Sequence, residues 1–343
     1  MGLARKLAVA AVLTLVSTAT LVPTAAATHV GCGTVITRST SLDSDVGPCP
    51  STAIVIRGDN IKVDLKGHRV FGTPDSGEGP GILSRNNRGV QITNGTVSDF
   101  DAGIAIEGGG NNKVMNVTAR DNIGNSATGD YGDGILIASS VDNLLLKNQA
   151  IHNGPFSGIG VYQRADSDHP NTPGGPATGN TINQNLVLDN NVCRTPSGPC
   201  DNDGIRLEPG VSSNIVVNNV VRGSALDGIA LFRTANENVV RHNTVEENGF
   251  HNVGHRKGDG IRVFSDRNEV TDNLFFRNAG AGIAVGFVTP RGVLRPAVEN
   301  RIITNKTGGN LRFDLHDLNP DCDNNVWQAN TYDTAFPACT TAP

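Results

Sequence analysis

The sequence predicts an all-β solenoid, and three observations support this prediction. First, a short phrase recurs in which Gly-Ile is followed by a polar or variable residue and usually an aliphatic one. Its copies begin at Gly81, Gly103, Gly134, Gly158, Gly204, Gly228, Gly260 and Gly282. Second, the phrase Asn-x-(Val/Ile/Leu)-x-x-Asn stands between the copies, as at Asn143–Asn148. Third, the shortest intervals between Gly-Ile copies are 22 to 24 residues, a period typical of solenoids built from strands.

Composition agrees with many short strands joined by tight turns. The chain has 343 residues, of which 41 are Gly, and a formal net charge of −5. Its Lys and Arg residues are scattered rather than gathered into a basic stripe, which argues against nucleic acid as a partner. Because a solenoid grows by adding coils, we expect one domain in a chain of this length.

The N-terminal segment has the pattern of a signal peptide. Arg5 and Lys6 precede an apolar run from Leu7 to Val22, and three alanines at 25–27 fit a cleavage site. The alternative is a membrane anchor, for which the run is slightly short. We therefore expect residues 1–27 to be removed on export, leaving a secreted protein with no membrane segment.

Six cysteines in an exported chain predict three disulfides. They fall into three local pairs, whereas a metal site would need a Cys-x-x-Cys or His-rich cluster that the sequence lacks. The expected disulfides are Cys32 with Cys49, Cys193 with Cys200, and Cys322 with Cys339. The first and third would each stabilise one end of the chain.

The repeat predicts the organisation of the rest of the chain. We expect an N-terminal cap at 28–53, the solenoid at 54–318 and a C-terminal cap at 319–343. Side chains alternate along a strand, so Ile261 and Val263 should point inward while Arg262 and Phe264 point outward. Asn at matching turns should adopt the left-handed conformation and stack its amide on that of the next coil.

One run of the sequence resembles a known family. Residues 61–72, Ile-Lys-Val-Asp-Leu-Lys-Gly-His-Arg-Val-Phe-Gly, resemble the first-coil signature of secreted right-handed parallel β-helix proteins of the pectate-lyase-like superfamily. The later repeats are similar to those of NosD-like proteins and mannuronan epimerases. The resemblance implies a single right-handed parallel β-helix, of about ten coils, with disulfide-stapled ends. This superfamily also contains pectate and alginate lyases.

The lengths of the insertions locate a candidate groove. Long segments flank the Gly-Ile strands on both sides, and loops on one face of a repeat array commonly mark its binding face. We expect the outer face of these strands to form the groove floor. Candidate substrate-binding residues on the floor and walls are Glu208, Tyr162, Phe232, Phe264 and Arg164.

The residue types in this groove suit an anionic polysaccharide, because Arg pairs with uronate carboxylates in a fork. Arg206 and Arg262, two coils apart, would neutralise the carboxylate and so acidify the C5 hydrogen. His255 or Lys257 would then remove that hydrogen as base, with Tyr131 as the alternative proton donor.

Four aspartates at the start of the Gly-Ile strands permit two interpretations. They are Asp133, Asp203, Asp227 and Asp259. An aspartate at a tight corner usually accepts a hydrogen bond from local backbone. The alternative is a Ca²⁺ site with oxygen ligands.

Two functions remain open from the sequence. The first is a secreted, monomeric lyase or C5-epimerase acting on a uronate polysaccharide. The epimerase-type Asp-Pro-His motif is missing, however, because the matching strand reads Asp259-Gly260-Ile261. The second is a non-catalytic β-helix that binds glycan at the cell envelope through the same groove.

Overall fold

The computed structural model describes residues 27–73, 78–124, 131–163, 174–193, 202–251, 257–288 and 293–341. Regular structure in these ranges is almost all strand. Two short 3₁₀ helices, Pro320–Cys322 and Ala338–Thr341, lie near the C-terminus. No helix in the described ranges is long and apolar enough to cross a bilayer.

The strands stack into three parallel ladders that run the length of the molecule. The ladder that contains the repeated phrase, here called the Gly-Ile ladder, has twelve strands within the described residues. They are Thr34–Ile36, Ile54–Ile56, Pro80–Arg85, Ala102–Glu107, Asp133–Ala138, Ser157–Tyr162, Asp203–Leu207, Ile229–Leu231, Ile261–Val263, Ile283–Val285, Leu315–Asp317 and Ala335–Phe336.

The second ladder also has twelve strands within those ranges. They are Ala27–Thr28, Thr40–Leu42, Lys62–Asp64, Gln91–Ser98, Lys113–Arg120, Leu144–Leu146, Thr181–Asn183, Ile215–Val217, Val239–Arg241, Glu269–Thr271, Arg301–Ile303 and Val326–Gln328.

The third ladder shares Gln91–Ser98 and Lys113–Arg120 with the second, because these two longer strands span both. Its other strands are Val46–Cys49, Arg69–Gly72, Gln149–Ile151, Leu186–Leu188, Val220–Arg222, Thr244–Glu246, Leu274–Phe276 and Lys306–Gly308. A separate antiparallel hairpin pairs Phe287–Val288 with Leu294–Arg295.

The core is the continuous interior of this solenoid. The inward residues of the Gly-Ile ladder, such as Ile205, Leu207, Ile261 and Val263, are fully buried and belong to one cluster. This confirms the predicted alternation. The ladders continue into both segments predicted as caps, with strands from Thr34–Ile36 to Ala335–Phe336. Within the described residues the Gly-Ile ladder has twelve strands and the third ladder ten, in agreement with a solenoid of about ten coils.

Buried asparagines join neighbouring coils at the corners. In each case the backbone N–H of one Asn donates to the side-chain oxygen of the Asn in the next coil, at 2.8–3.1 Å. Two of these amide ladders lie on either side of the second-ladder strands. One contains Asn112, Asn143, Asn180, Asn214, Asn238, Asn268, Asn300 and Asn325; the other contains Asn148, Asn185, Asn219, Asn243, Asn273, Asn305 and Asn330.

The predicted stacking of amides is confirmed, but the left-handed residue is a different one. It is the residue just before each ladder Asn, as at Asp142, Lys147 and His152, each with φ near 55°. The ladder Asn itself must be extended so that its amide can point inward. The preceding corner position faces solvent, which explains why it holds many residue types.

Disulfides close both ends as predicted. Cys32 pairs with Cys49 and Cys322 with Cys339. Cys193 is also disulfide-bonded, while its predicted partner Cys200 lies outside the described residues. Disulfides are typical of proteins in oxidising surroundings such as the extracellular space or the cell envelope.

Candidate functional site

A column of residues in parallel register forms the outer face of the Gly-Ile ladder. Its members are Ala105, Leu136, Gly160, Arg206, Ala230, Arg262, Ala284, His316 and Phe336. This confirms that Arg206 and Arg262 are two coils apart. The last two members could not be recognised from the repeated phrase, because their strands lack Gly-Ile. The 32-residue interval from Ala284 to His316 equals that between Gly228 and Gly260 and could have indicated His316, whereas the 20 residues from His316 to Phe336 match no Gly-Ile interval.

The centre of this column is buried, which corrects the expectation of an open groove floor. Arg206 and Arg262 are only 6% and 4% exposed. A small apolar cluster of Ala105, Leu136 and Tyr162 continues the buried surface toward the N-terminus. Accessible side chains lie instead beside the column, where Glu208 and Phe232 are part-buried.

Arg206 is held in a buried ion network. Its guanidinium donates to Asp203 from Nε at 2.9 Å and to Glu208 at 3.3 Å. Its Cζ also lies 4.9 Å from the ring centroid of Phe232. Burial would lower the pKa of Arg206, but the charges of Asp203 and Glu208 outweigh burial and raise it. The residue is therefore a fixed cation.

Arg262 repeats this arrangement two coils later. It pairs with Asp259, two residues before its strand begins, and its Cζ lies 5.5 Å from the Phe264 ring centroid. The Phe264 ring contacts Phe232 and Phe287 edge-on, with centroids 5.6 and 5.1 Å away. Phe232, Phe264 and Phe287, here called the aromatic row, therefore follow one another across three successive coils.

The four aspartates at the start of the Gly-Ile strands accept hydrogen bonds from the next coil and do not converge as metal ligands. Asp203 accepts the backbone N–H of Asp227 at 3.0 Å, and Asp227 accepts that of Asp259 at 2.7 Å. Asp259 accepts the N–H of Ala281. Asp133 accepts hydrogen bonds from the hydroxyls of Ser157 and Tyr162.

These bonds do not fit a Ca²⁺ site. In two of the four aspartates the second oxygen already pairs with Arg206 or Arg262. Across the described ranges, no group of three or more His, Cys, Asp or Glu side chains is arranged to hold a metal ion. The turn interpretation, extended to bonds between coils, accounts for the hydrogen bonds of the four residues.

Tyr162 folds back along its own strand instead of pointing into a groove. A Cβ added at Gly160 would come within 2.2–2.7 Å of the Tyr162 ring and hydroxyl, so the ring lies over Gly160. Its hydroxyl donates to Asp133 at 2.7 Å, and the residue is 2% exposed. The glycine is therefore needed for this conformation.

Tyr131 is bonded at the N-terminal end of the face. Its hydroxyl donates to Glu107 at 2.7 Å, and Arg85 donates to the other oxygen of that carboxylate at 2.6 Å. Four register steps separate the strand after Tyr131 from that of Arg262, about 19 Å at ordinary strand spacing. The structure therefore does not bring these two predicted catalytic residues together.

Three predicted site residues remain, and only Lys257 lies in the described part of the chain. Lys257 is exposed, two residues before Asp259. His255 and Arg164 lie outside the described residues.

His316 is a titratable residue at the C-terminal end of the column. It is 4% exposed, and its ring lies 5.1 Å from that of Phe313 and 6.1 Å from that of Phe336. Burial and then the charges of Arg312 and Arg262 lower the pKa of His316 to about 4. Its imidazole is therefore neutral at neutral pH.

Comparison with known proteins identifies the fold. A family model described as the right handed beta helix region matches residues 170–289. A search of curated proteins finds no match. Among solved structures, a periplasmic alginate epimerase is 15% identical with a TM-score of 0.53, over 88% of this chain and 73% of its own.

Two further structures cover the same share of this chain. ORF18 of Geobacillus virus E2 is 12% identical with a TM-score of 0.50, and the Dettilon tailspike protein is 17% identical with a TM-score of 0.48. The chain spans about half the length of each, 51% and 52%. Identities this low establish the fold alone. The chain therefore has the right-handed parallel β-helix fold.

Proposed function

We propose that this chain is a secreted protein that binds an anionic, uronate-containing polysaccharide along the outer face of the Gly-Ile ladder. The observation that carries the proposal is the aromatic row, whose three rings follow one another from coil to coil at 5.1–5.6 Å. Coils are spaced about 4.8 Å apart, close to the length that one pyranose adds to an extended glycan. Phe232 and Phe287 are part-buried and Phe264, 8% exposed, packs between them, so a polysaccharide parallel to the axis would meet the accessible parts of the two outer rings.

Exposed Arg and Lys side chains, rather than the buried arginines, would bind the carboxylates of the polysaccharide. Arg206 and Arg262 are balanced by aspartates, so they serve to hold Phe232 and Phe264 in place through contacts between guanidinium and ring. Arg233, which directly follows Phe232, is exposed, as are Lys257 and Arg312. These three side chains are the ones we expect to meet uronate carboxylates. The fold shared with an alginate epimerase supports the same ligand class.

Lyase or C5-epimerase activity is a second candidate, and His316 is the observation that favours it. A neutral imidazole could remove the C5 proton of a uronate whose carboxylate is neutralised by a nearby cation. In elimination the C4–oxygen bond then breaks and the leaving oxygen is protonated. In epimerisation a proton returns to C5 from the opposite face.

Binding can be tested by calorimetry with alginate, pectate and a neutral glucan, on the wild type and on Phe232→Ala. We expect the acidic chains to bind, and loss of the Phe232 ring to weaken them about three- to ten-fold. The matched control is Phe276→Ala, a part-buried ring on the third ladder, which should leave affinity unchanged. Equal loss in both variants, or no binding to any acidic chain, would contradict the proposal.

Catalysis is followed in the same mixtures through the absorbance of the unsaturated product and through NMR of epimerised residues. Either signal, if reduced by His316→Phe, supports the enzyme. Binding without either signal identifies a non-catalytic glycan-binding protein.

A further inference from the structure

The outer-face column ends in an exposed aromatic pair. Phe336 follows His316 in register and is 55% exposed. Its ring stacks on that of Phe313, with centroids 5.6 Å apart and planes inclined by 22°. One broad ring face is therefore presented at the C-terminal end of the column.

Closing the core does not require this pair. The last coil is sealed on its inner side by Tyr332, Ala335 and Cys339, which pack against the central cluster. Phe336 points the other way, because side chains alternate along a strand. Contiguous exposed apolar surface, rather than a single exposed ring, is typical of contact sites, and the stacked Phe313 and Phe336 rings form such a surface.

The pair lies on the same outer face as the aromatic row, in the neighbouring column two residues along the strand. From Ala230, two residues before Phe232, four register steps lead to Phe336, through Arg262, Ala284 and His316. At the usual strand spacing this is about 19 Å. A glycan that begins on Phe232 with one sugar per coil reaches Phe336 at about its fifth unit.

We infer that Phe313 and Phe336 form a separate sugar-binding subsite that takes the apolar face of one pyranose ring of the same polysaccharide. The inference rests on the proposed function, since it extends that binding face beyond Phe287. Exposed Arg312 beside Phe313 suits a sugar that carries a carboxylate.

The subsite predicts a dependence on ligand length. Calorimetry should compare uronate trimers with hexamers on the wild type, Phe336→Ala and Phe336→Trp. The hexamer should bind Phe336→Ala about three- to ten-fold more weakly, while the trimer, which fits on the aromatic row, should be unaffected. Phe336→Trp keeps an aromatic face and should retain hexamer affinity.

Leu311→Ala is the control, because Leu311 is 70% exposed nearby and lies on no strand. It should change neither affinity, and thermal unfolding should show that all variants are folded. If Phe232→Ala weakens binding while Phe336→Ala leaves the hexamer unchanged, or weakens both oligomers equally, the subsite is wrong and the proposed function stands. Failure of the wild type to bind either oligomer would overturn both.

Discussion

At the scale of single residues, burial decides what a charged side chain on this face can do. The alternation of the strand places Arg206 and Arg262 outward, and the sequence suffices to predict that. Their accessibility depends on what covers the face and on the aspartates three positions earlier, which a repeat pattern does not specify. His316 and Phe336 escaped prediction for another reason, since neither strand carries the Gly-Ile phrase.

His316 should make the fold sensitive to acid. Its pKa is about 4 when folded but returns to about 6.5 in the unfolded chain. The unfolded state therefore binds the extra proton between these values, and stability falls as the pH drops from 6.5 to 4. Replacing His316 with Phe removes this contribution.

The thermal midpoint of unfolding should be measured at pH 7 and at pH 4.5 for the wild type and for His316→Phe. The fall in midpoint between the two pH values should be about 2–4 °C smaller in His316→Phe than in the wild type. His242→Gln, at an exposed corner, is the matched control and should behave like the wild type. An unchanged difference in His316→Phe would contradict a buried neutral imidazole.

At the scale of elements, the amide ladders account for how coils of different length stay in register. The Asn phrase in the sequence was enough to predict amide stacking between coils. It did not show which residue bends the backbone, because Asn is itself common in the left-handed conformation. The structure shows that the ladder Asn is held by hydrogen bonds to the next coil. The residue before it adopts the left-handed conformation that bends the backbone.

Substitution of a ladder Asn inside the solenoid should lower the free energy of unfolding more than substitution of the exposed residue just before it. Asn219→Ala would remove the acceptor for the backbone and side-chain N–H groups of Asn185, at 2.8 and 3.0 Å. It would also remove the donor to the carbonyl of Ile182. These buried groups would lack partners, so we expect a loss of at least about 3 kcal/mol in urea unfolding.

Asn218→Gly is the internal comparison, because Asn218 is the exposed left-handed residue just before it. This change should cost less than about 1 kcal/mol. Similar losses at the two positions would show that the ladder bonds contribute little.

At the scale of the whole molecule, each coil contacts only its neighbours, so stability is a sum of local terms. The repeat period was therefore sufficient to predict the architecture. The strands at the two ends of the solenoid could not be assigned from the sequence, because they lack the repeated phrases. Removing one end disulfide should loosen one end only.

This can be measured by hydrogen exchange on a Cys322→Ala, Cys339→Ala variant. Each end disulfide spans 17 residues, a loop whose closure contributes about 3 kcal/mol. Exchange should rise in the last coils, including Val326–Gln328, and stay unchanged around Ile205. The variant lacking Cys32 and Cys49 should show the mirror-image pattern. Faster exchange throughout the molecule would contradict the local picture.

The amide ladders also give the solenoid a polarity. Every ladder Asn donates toward the C-terminus, so the last coil has donors that need acceptors. Carboxylates meet that need, since Asn310 donates to Asp314 at 2.7 Å and Asn325 to Asp317 at 3.0 Å. At the other end, Asn112 accepts from the backbone N–H of Val90. The two termini are therefore chemically unlike, and a shortened version of this protein would leave unpaired donors on its C-terminal side wherever its ladders were made to stop.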